Sequence, residues 1–111
     1  MFEHKITNVR GPINLGTVTV SPVPPKRGVV RVIYNGLLSS SGAQDVYIRT
    51  GYGNTSNWQE IYDYQMTQGP EGWEQVLHLN RSNYLNFCFK DGADHWDNNS
   101  GQNWTIDTEG F

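Results

Sequence analysis

The chain has 111 residues, with 8 Lys and Arg against 11 Asp and Glu, a net charge of −3, and a mean hydropathy of −0.62. That length suits one domain with a single modest core, and no apolar run approaches the ~20 residues of a membrane-spanning helix. The acidic balance and scattered basic residues argue against nucleic acid, whose phosphates call for clustered Lys and Arg.

In chain order, residues 1–12 read as a flexible arm or an extra edge strand ahead of a core over about 16–108. The N-terminus lacks a basic-then-apolar signal region, so a cytoplasmic location is expected, or an extracellular one if the chain is an excised domain. Thr17-Val18-Thr19-Val20 alternates as a strand does. Ser21 to Lys26 holds three prolines without N–H donors and reads as a stiff extended connector. Gly28 to Tyr34 is a strand with Val30, Val32 and Tyr34 on one face. The Ser-rich run from Leu37 to Ala43 reads as a wide loop, and no amphipathic helix is expected anywhere. Gln44 to Thr50 is a strand with Val46 and Ile48 inward and Tyr47 and Arg49 outward. Gly51 to Asn57 reads as a flexible loop delivering Trp58. Ile61 to Met66, Gly72 to Asn80, Leu85 to Lys90 and Trp104 to Thr108 complete the strands. About seven to eight short strands with turns between them predict an all-β fold, an antiparallel sandwich or barrel, in one domain spanning 1–111.

The stretch from Leu85 to Trp104 is the most informative. Leu85, Phe87 and Phe89 alternate with Asn86, Cys88 and Lys90, marking a half-buried strand. Beyond Asp91-Gly92 comes a polar loop carrying Trp96. Exposing an indole forgoes burial of about 150–250 Å², roughly 3–5 kcal/mol, and a loop with that cost commonly serves binding.

Catalytic constellations are thin. His4, His78 and His95 have no zinc-ligand spacing, and Cys88, alone, reads as an ordinary unpaired thiol. Glu60, Asp63, Glu71 and Glu74 could in principle supply a paired acid and base, but acidic residues on strand faces and turns more often keep a chain soluble. The chain therefore reads as no enzyme. No cofactor is expected. Asp91, Asp94, Asp97, Asn98 and Asn99 leave a structural calcium open, although Ala93 stands where a ligand is wanted and no Glu closes the loop.

Trp58 and Trp96 each sit beside a Gly- and Asn-rich turn. If the strands before them are neighbours, both loops leave the same part of the domain. They then form a platform with Arg49, Tyr52, Lys90, Asn98 and Asn99 around it. Flat aromatics flanked by amide and guanidinium groups suit a sugar, whose C–H face meets the ring while hydroxyls meet the polar groups. The alternative is a protein-interaction module using the same patch.

The ordered markers GVVRVIYNG (28–36), Val46-Tyr47-Ile48-Arg49-Thr50-Gly51-Tyr52, Trp58, Met66, Trp73, Phe87-Cys88-Phe89-Lys90-Asp91-Gly92 and Trp96-Asp97-Asn98-Asn99 resemble the starch-binding carbohydrate-binding modules of family 25. The related modules of family 53 in starch synthases share the likeness. The resemblance implies an immunoglobulin-like β-sandwich that binds α-1,4-linked glucans such as glycogen, starch and maltooligosaccharides without catalysis, and that works beside a partner glucan-active enzyme. It implies that Trp58 and Trp96 form the platform and that Asn98 and Asn99 hold hydroxyls or shape the loop. Arg49 stands where that family often has a histidine, a departure that bears on specificity.

Overall fold

A computed structural model describes residues 11–80 and 83–111. The N-terminal segment through Arg10, expected as an arm or edge strand, and Arg81-Ser82 of the expected turn lie outside the described residues. Among the described residues, ten strands form two antiparallel sheets. The first sheet has the order β1 (Ile13–Asn14), β2 (Val18–Pro22), β3 (Val29–Tyr34), β7 (Gly72–His78), β6 (Thr67–Gly69). The second has the order β10 (Trp104–Asp107), β8 (Tyr84–Lys90), β4 (Tyr47–Asn54), β5 (Asn57–Gln65), with the short β9 (Trp96–Asp97) pairing beside β10 on β8. This is the expected β-sandwich. The strand number exceeds the expected seven to eight because β1, β6 and β9 are only two or three residues long.

Period-2 alternation dictates which side chains meet between the sheets. Val18, Val20, Val30, Val32, Tyr34 and Leu77 come from the first sheet and Ile48, Leu85, Phe87, Phe89, Trp104 and Ile106 from the second, all buried in one cluster. Its centre is aromatic. Tyr34 stacks on Phe89 with centroids 4.0 Å apart, and Phe89 meets Trp104 edge-on at 5.2 Å. Such pairings add to the area term.

Three expectations change. Ser21 and Pro22 extend β2 instead of starting the connector, because β1 pairs no further than Val20. Among the described residues Pro22 therefore sits where β2 is an edge, and its missing N–H breaks no ladder. Leu37–Ser40 forms one helical turn, α1, and buries Leu38. Four residues carry no periodicity to read. The run Gly51 to Asn54 is not a loop: β4 continues through it, and the turn to β5 is only Thr55-Ser56. No helix among the described residues is long and apolar enough to cross a membrane.

β8 is also not half-buried. Asn86 is fully buried and Cys88 is 6% exposed on its other face. Asn86 donates to the Gly53 carbonyl at 3.1 Å and accepts from the Thr105 hydroxyl at 2.8 Å. A central strand flanked on both sides has neighbours whose side chains cover even its outer face.

Candidate carbohydrate-binding face

β4 and β8 are neighbours, as the platform idea requires, but they are antiparallel. Their C-terminal ends therefore point opposite ways, and the loops after them leave opposite ends of the sheet. The tryptophans nevertheless come to one face, because each lies on a segment that doubles back. Trp58 is in β5, opposite Gly53, and Trp96 is in β9, opposite Lys90. Directly opposed residues share a face. Gly53, Gly51, Arg49 and Tyr47 alternate onto the outer face of β4, opposite Asn86, Cys88 and Lys90 of β8.

The indole of Trp58 lies on the backbone of Gly51, where an added Cβ would come within 2.6 Å of the Trp58 Cβ and 2.7 Å of its Cε3. The Trp58 Nε1 donates to the Thr55 carbonyl at 3.0 Å, fixing the ring on the hairpin. Two residues back, about 7 Å along the strand, Arg49 reaches Trp96. The Arg49 Cζ is 4.9 Å from the Trp96 ring centroid, and the Lys90 Nζ is 5.3 Å from it. Both lie within the range of cation–π attraction. Trp96 keeps 40% of its surface exposed.

Arg49 is held from the other side by Asp63 on β5. Its Nε and a terminal NH2 donate to the two carboxylate oxygens at 2.7 and 2.9 Å. This fork geometry is specific to Arg. The hydrogen bonds from Arg49 hold the Asp63 carboxyl below the usual carboxylate range, and the same pairing raises the Arg49 pKa. Lys90 also sits 3.6 Å from the Asp94 carboxylate. Cys88, opposite Arg49, is a free thiol pushed up to about 11 by burial, so at neutral pH it is protonated and inert.

Asn98 and Asn99 lie in the turn between β9 and β10. The Asn98 side-chain oxygen accepts from the Gly101 N–H at 2.9 Å, and the Asn99 amide donates to the Asn103 carbonyl at 3.0 Å. Asn99 itself has φ +56, a conformation that Asn tolerates better than most residues. These bonds shape the loop. Tyr52 is not brought to the face. Because β4 continues past Thr50, alternation turns Tyr52 to the opposite side, where it packs on the core and its hydroxyl accepts from the Asn80 N–H at 3.0 Å.

Of the carboxylates considered as a catalytic pair, Asp63 and Glu74 lie in different sheets. Asp63 is clamped by Arg49 in one sheet, and Glu74 lies 3.3 Å from Arg31 in the other. The calcium-loop carboxylates also diverge: Asp91 onto the His95 turn, Asp94 toward Lys90, and Asp97 onto Tyr34. Among the described residues no three His, Cys, Asp or Glu side chains converge as metal ligands.

Sequence reasoning missed Asp63 as a partner of the face and Gly51 as its floor. The signal for Asp63 was available, since a strand pair in register places it opposite Arg49.

Comparison with known proteins decides the class. Residues 30–87 match the model of the starch/carbohydrate-binding module, family 53. The chain belongs to family 53 of the carbohydrate-binding modules. The match places the likeness with family 53, one of the two related families the sequence resembles. It includes Arg49, Trp58 and Asp63 and ends before Trp96. An alpha-amylase of Clostridium acetobutylicum is 38% identical over 79 residues, which cover 69% of this chain and 10% of that protein. The module therefore spans about a tenth of the length of that curated relative. No solved structure matches significantly. As a member of a carbohydrate-binding module family the chain is a starch- or carbohydrate-binding module.

Proposed function

We propose that this module binds α-1,4-linked glucans (glycogen, starch and maltooligosaccharides) on the outer face of the second sheet. Trp58 and Trp96 serve as stacking surfaces, and Arg49 and Lys90 as hydroxyl partners. The observation that carries this reading is the convergence of two indoles from segments 38 residues apart onto one face, with the Arg49–Asp63 pair between them. A twisted sheet carries the two rings tilted relative to each other. A tilted pair fits a helical polymer better than a flat one. The Arg49 donors left over from Asp63 and the Lys90 ammonium meet sugar hydroxyls, which accept as readily as they donate. Asn98 and Asn99 support the site by holding the loop beside Trp96.

Each stacking contact is worth about 1–3 kcal/mol on the scale of bases on aromatics. Less the cost of association, this gives a dissociation constant on the order of 0.01–1 mM. The likeness to a short stretch of an alpha-amylase supports a role beside a glucan-active enzyme, with the module keeping that enzyme on its polymer.

Native affinity electrophoresis in gels holding glycogen, soluble starch or hydroxyethyl cellulose tests the reading. The α-glucans retard the wild type and the cellulose does not, and Trp58→Ala or Trp96→Ala abolishes the retardation. A folded wild type that migrates freely in every gel overturns it.

A further inference from the structure

The edge strand β5 carries aromatics on both faces, and a β-bulge is the reason. Thr50 opposes Tyr62, and Tyr52 opposes Gln59, so Glu60 and Ile61 together face Gly51. Glu60 takes up the extra residue with φ +54. In a regular strand Trp58 and Tyr62, four residues apart, would point the same way. The bulge reverses the alternation between them. Trp58 goes to the outer face opposite Gly53, and Tyr62 goes to the inner face opposite Thr50.

That inner face is not covered at Tyr62. Across the sandwich, β6 is three residues long and pairs only Gly72 to Glu74 of β7. From Gln75 to His78, β7 has β3 on one side and no strand in register on the other among the described residues. The result is a groove of about 360 Å³ between the sheets, lined by Tyr52, Tyr62, Tyr64, His78 and Asn80. Tyr62 is 63% exposed and meets Tyr64 edge-on with centroids 5.0 Å apart. Glu60, displaced by the bulge, adds a carboxylate at the rim.

We infer that this groove is a second α-glucan subsite, on the opposite face of the β4–β5 hairpin from the tryptophans. Tyr62 offers the stacking surface. The Tyr64 hydroxyl and the Glu60 carboxylate, which line the groove, offer partners for sugar hydroxyls. An exposed aromatic among neutral and acidic hydrogen-bonding groups, in a chain of net charge −3, suits an uncharged polyol and disfavours a polyanion. Two subsites on one hairpin would let the module hold two segments of a branched polymer. Polymer affinity then exceeds oligosaccharide affinity by effective concentration, with no change at either subsite. This inference rests on the reading of the protein as an α-glucan binder.

Backbone amide NMR with maltoheptaose as the probe tests it, on wild type, Tyr62→Ala and Trp58→Ala/Trp96→Ala. The expected result is two groups of shifts in the wild type, one around Arg49, Gly51 and Trp58 and one around Thr50, Tyr62 and Asn80. The double tryptophan variant keeps only the second group, and Tyr62→Ala keeps only the first. In glycogen gels Tyr62→Ala loses several-fold in affinity without losing retardation. Shifts on the tryptophan face alone at millimolar maltoheptaose, with none around Tyr62, overturn the second subsite and leave the first standing. Shifts on neither face overturn both readings. Shifts around Tyr62 that persist in Tyr62→Ala also overturn it.

Discussion

The Tyr34 hydroxyl, buried at the end of β3 in one sheet, donates to the carboxylate of Asp97 on β9 in the other at 2.6 Å. It also accepts from the Leu38 N–H at 3.0 Å, while the Leu37 N–H reaches the same Asp97 oxygen at 3.2 Å. Burial, then the bond to Asp97, raises the phenol far above its ordinary pKa, so it stays a donor. Asp97 follows Trp96 directly, so this bond ties the two-residue strand bearing the indole to the aromatic core. Tyr34→Phe removes a donor and an acceptor from a buried site, which costs about 1–3 kcal/mol. Urea unfolding reads that loss as a lower midpoint at unchanged slope. The glycogen affinity of the folded variant falls as well, because β9 loses an anchor. A variant as stable as the wild type would show that this bond contributes little.

Gly51 is the floor under Trp58. No turn requires it, since it lies within β4, and the requirement is space. Gly51→Ala places a methyl where the Trp58 ring and its Cβ stand, and that Cβ is anchored to the backbone of the paired strand. The expected cost is about 1–3 kcal/mol from overpacking, with the indole displaced from the face. Intrinsic fluorescence reports the displacement, and affinity gels show weakened binding approaching that of Trp58→Ala. Unchanged fluorescence and binding would mean the ring does not depend on that close approach.

The same glycine explains what the sequence concealed. Gly51, Gly53 and Asn54 are turn formers by composition, and a tract of them looks like a loop. The actual role of Gly51 is to let an indole and a strand backbone come close within a ladder. Once β4 was cut short at Thr50, the face of Tyr52 could not be read. The bulge at Glu60 hid the sidedness of β5 in the same way, because one inserted residue reverses every alternation beyond it. The core strands were legible because alternation over Val29–Tyr34 and Tyr84–Lys90 is unbroken. The two tryptophans were legible as unusual residues. Their convergence was not, because it depends on the antiparallel pairing of β4 and β8, which strand patterns alone do not specify.

Asp63 holds Arg49 in place beneath Trp96. Asp63→Asn keeps the size and removes the fork's ionic half. The pair is about one-third exposed, so stability changes by less than about 1 kcal/mol. Glucan affinity drops more than stability does, because the freed guanidinium no longer sits at a fixed position beside the indole. Arg49→Lys has the same signature, since an ammonium cannot make the bidentate contact. Isothermal titration with maltoheptaose, paired with urea unfolding, separates the two effects. Equal losses in both would make the pair a structural brace only.

Acid sensitivity centres on Asp91. Its carboxylate accepts from the His95 N–H at 2.8 Å and the Ala93 N–H at 2.9 Å, and its other oxygen meets the His95 Nδ1 at 2.8 Å. The backbone bond from His95 is the chief reason its pKa lies below the usual value. A carboxyl depressed in the folded state binds fewer protons there than in the unfolded chain. Its stabilisation is therefore fully present above the unfolded value of about 3.9 and is lost as pH falls from there through the lower folded value. Asp63, depressed by Arg49, adds a loss of the same sign over the same range. Urea midpoints measured from pH 6 to pH 2.5 fall steeply below about pH 4. Asp91→Asn starts lower at pH 6 and shows a shallower decline, since its amide does not titrate. A variant that keeps the wild-type slope would place the acid-labile group elsewhere than in the turn that carries Trp96.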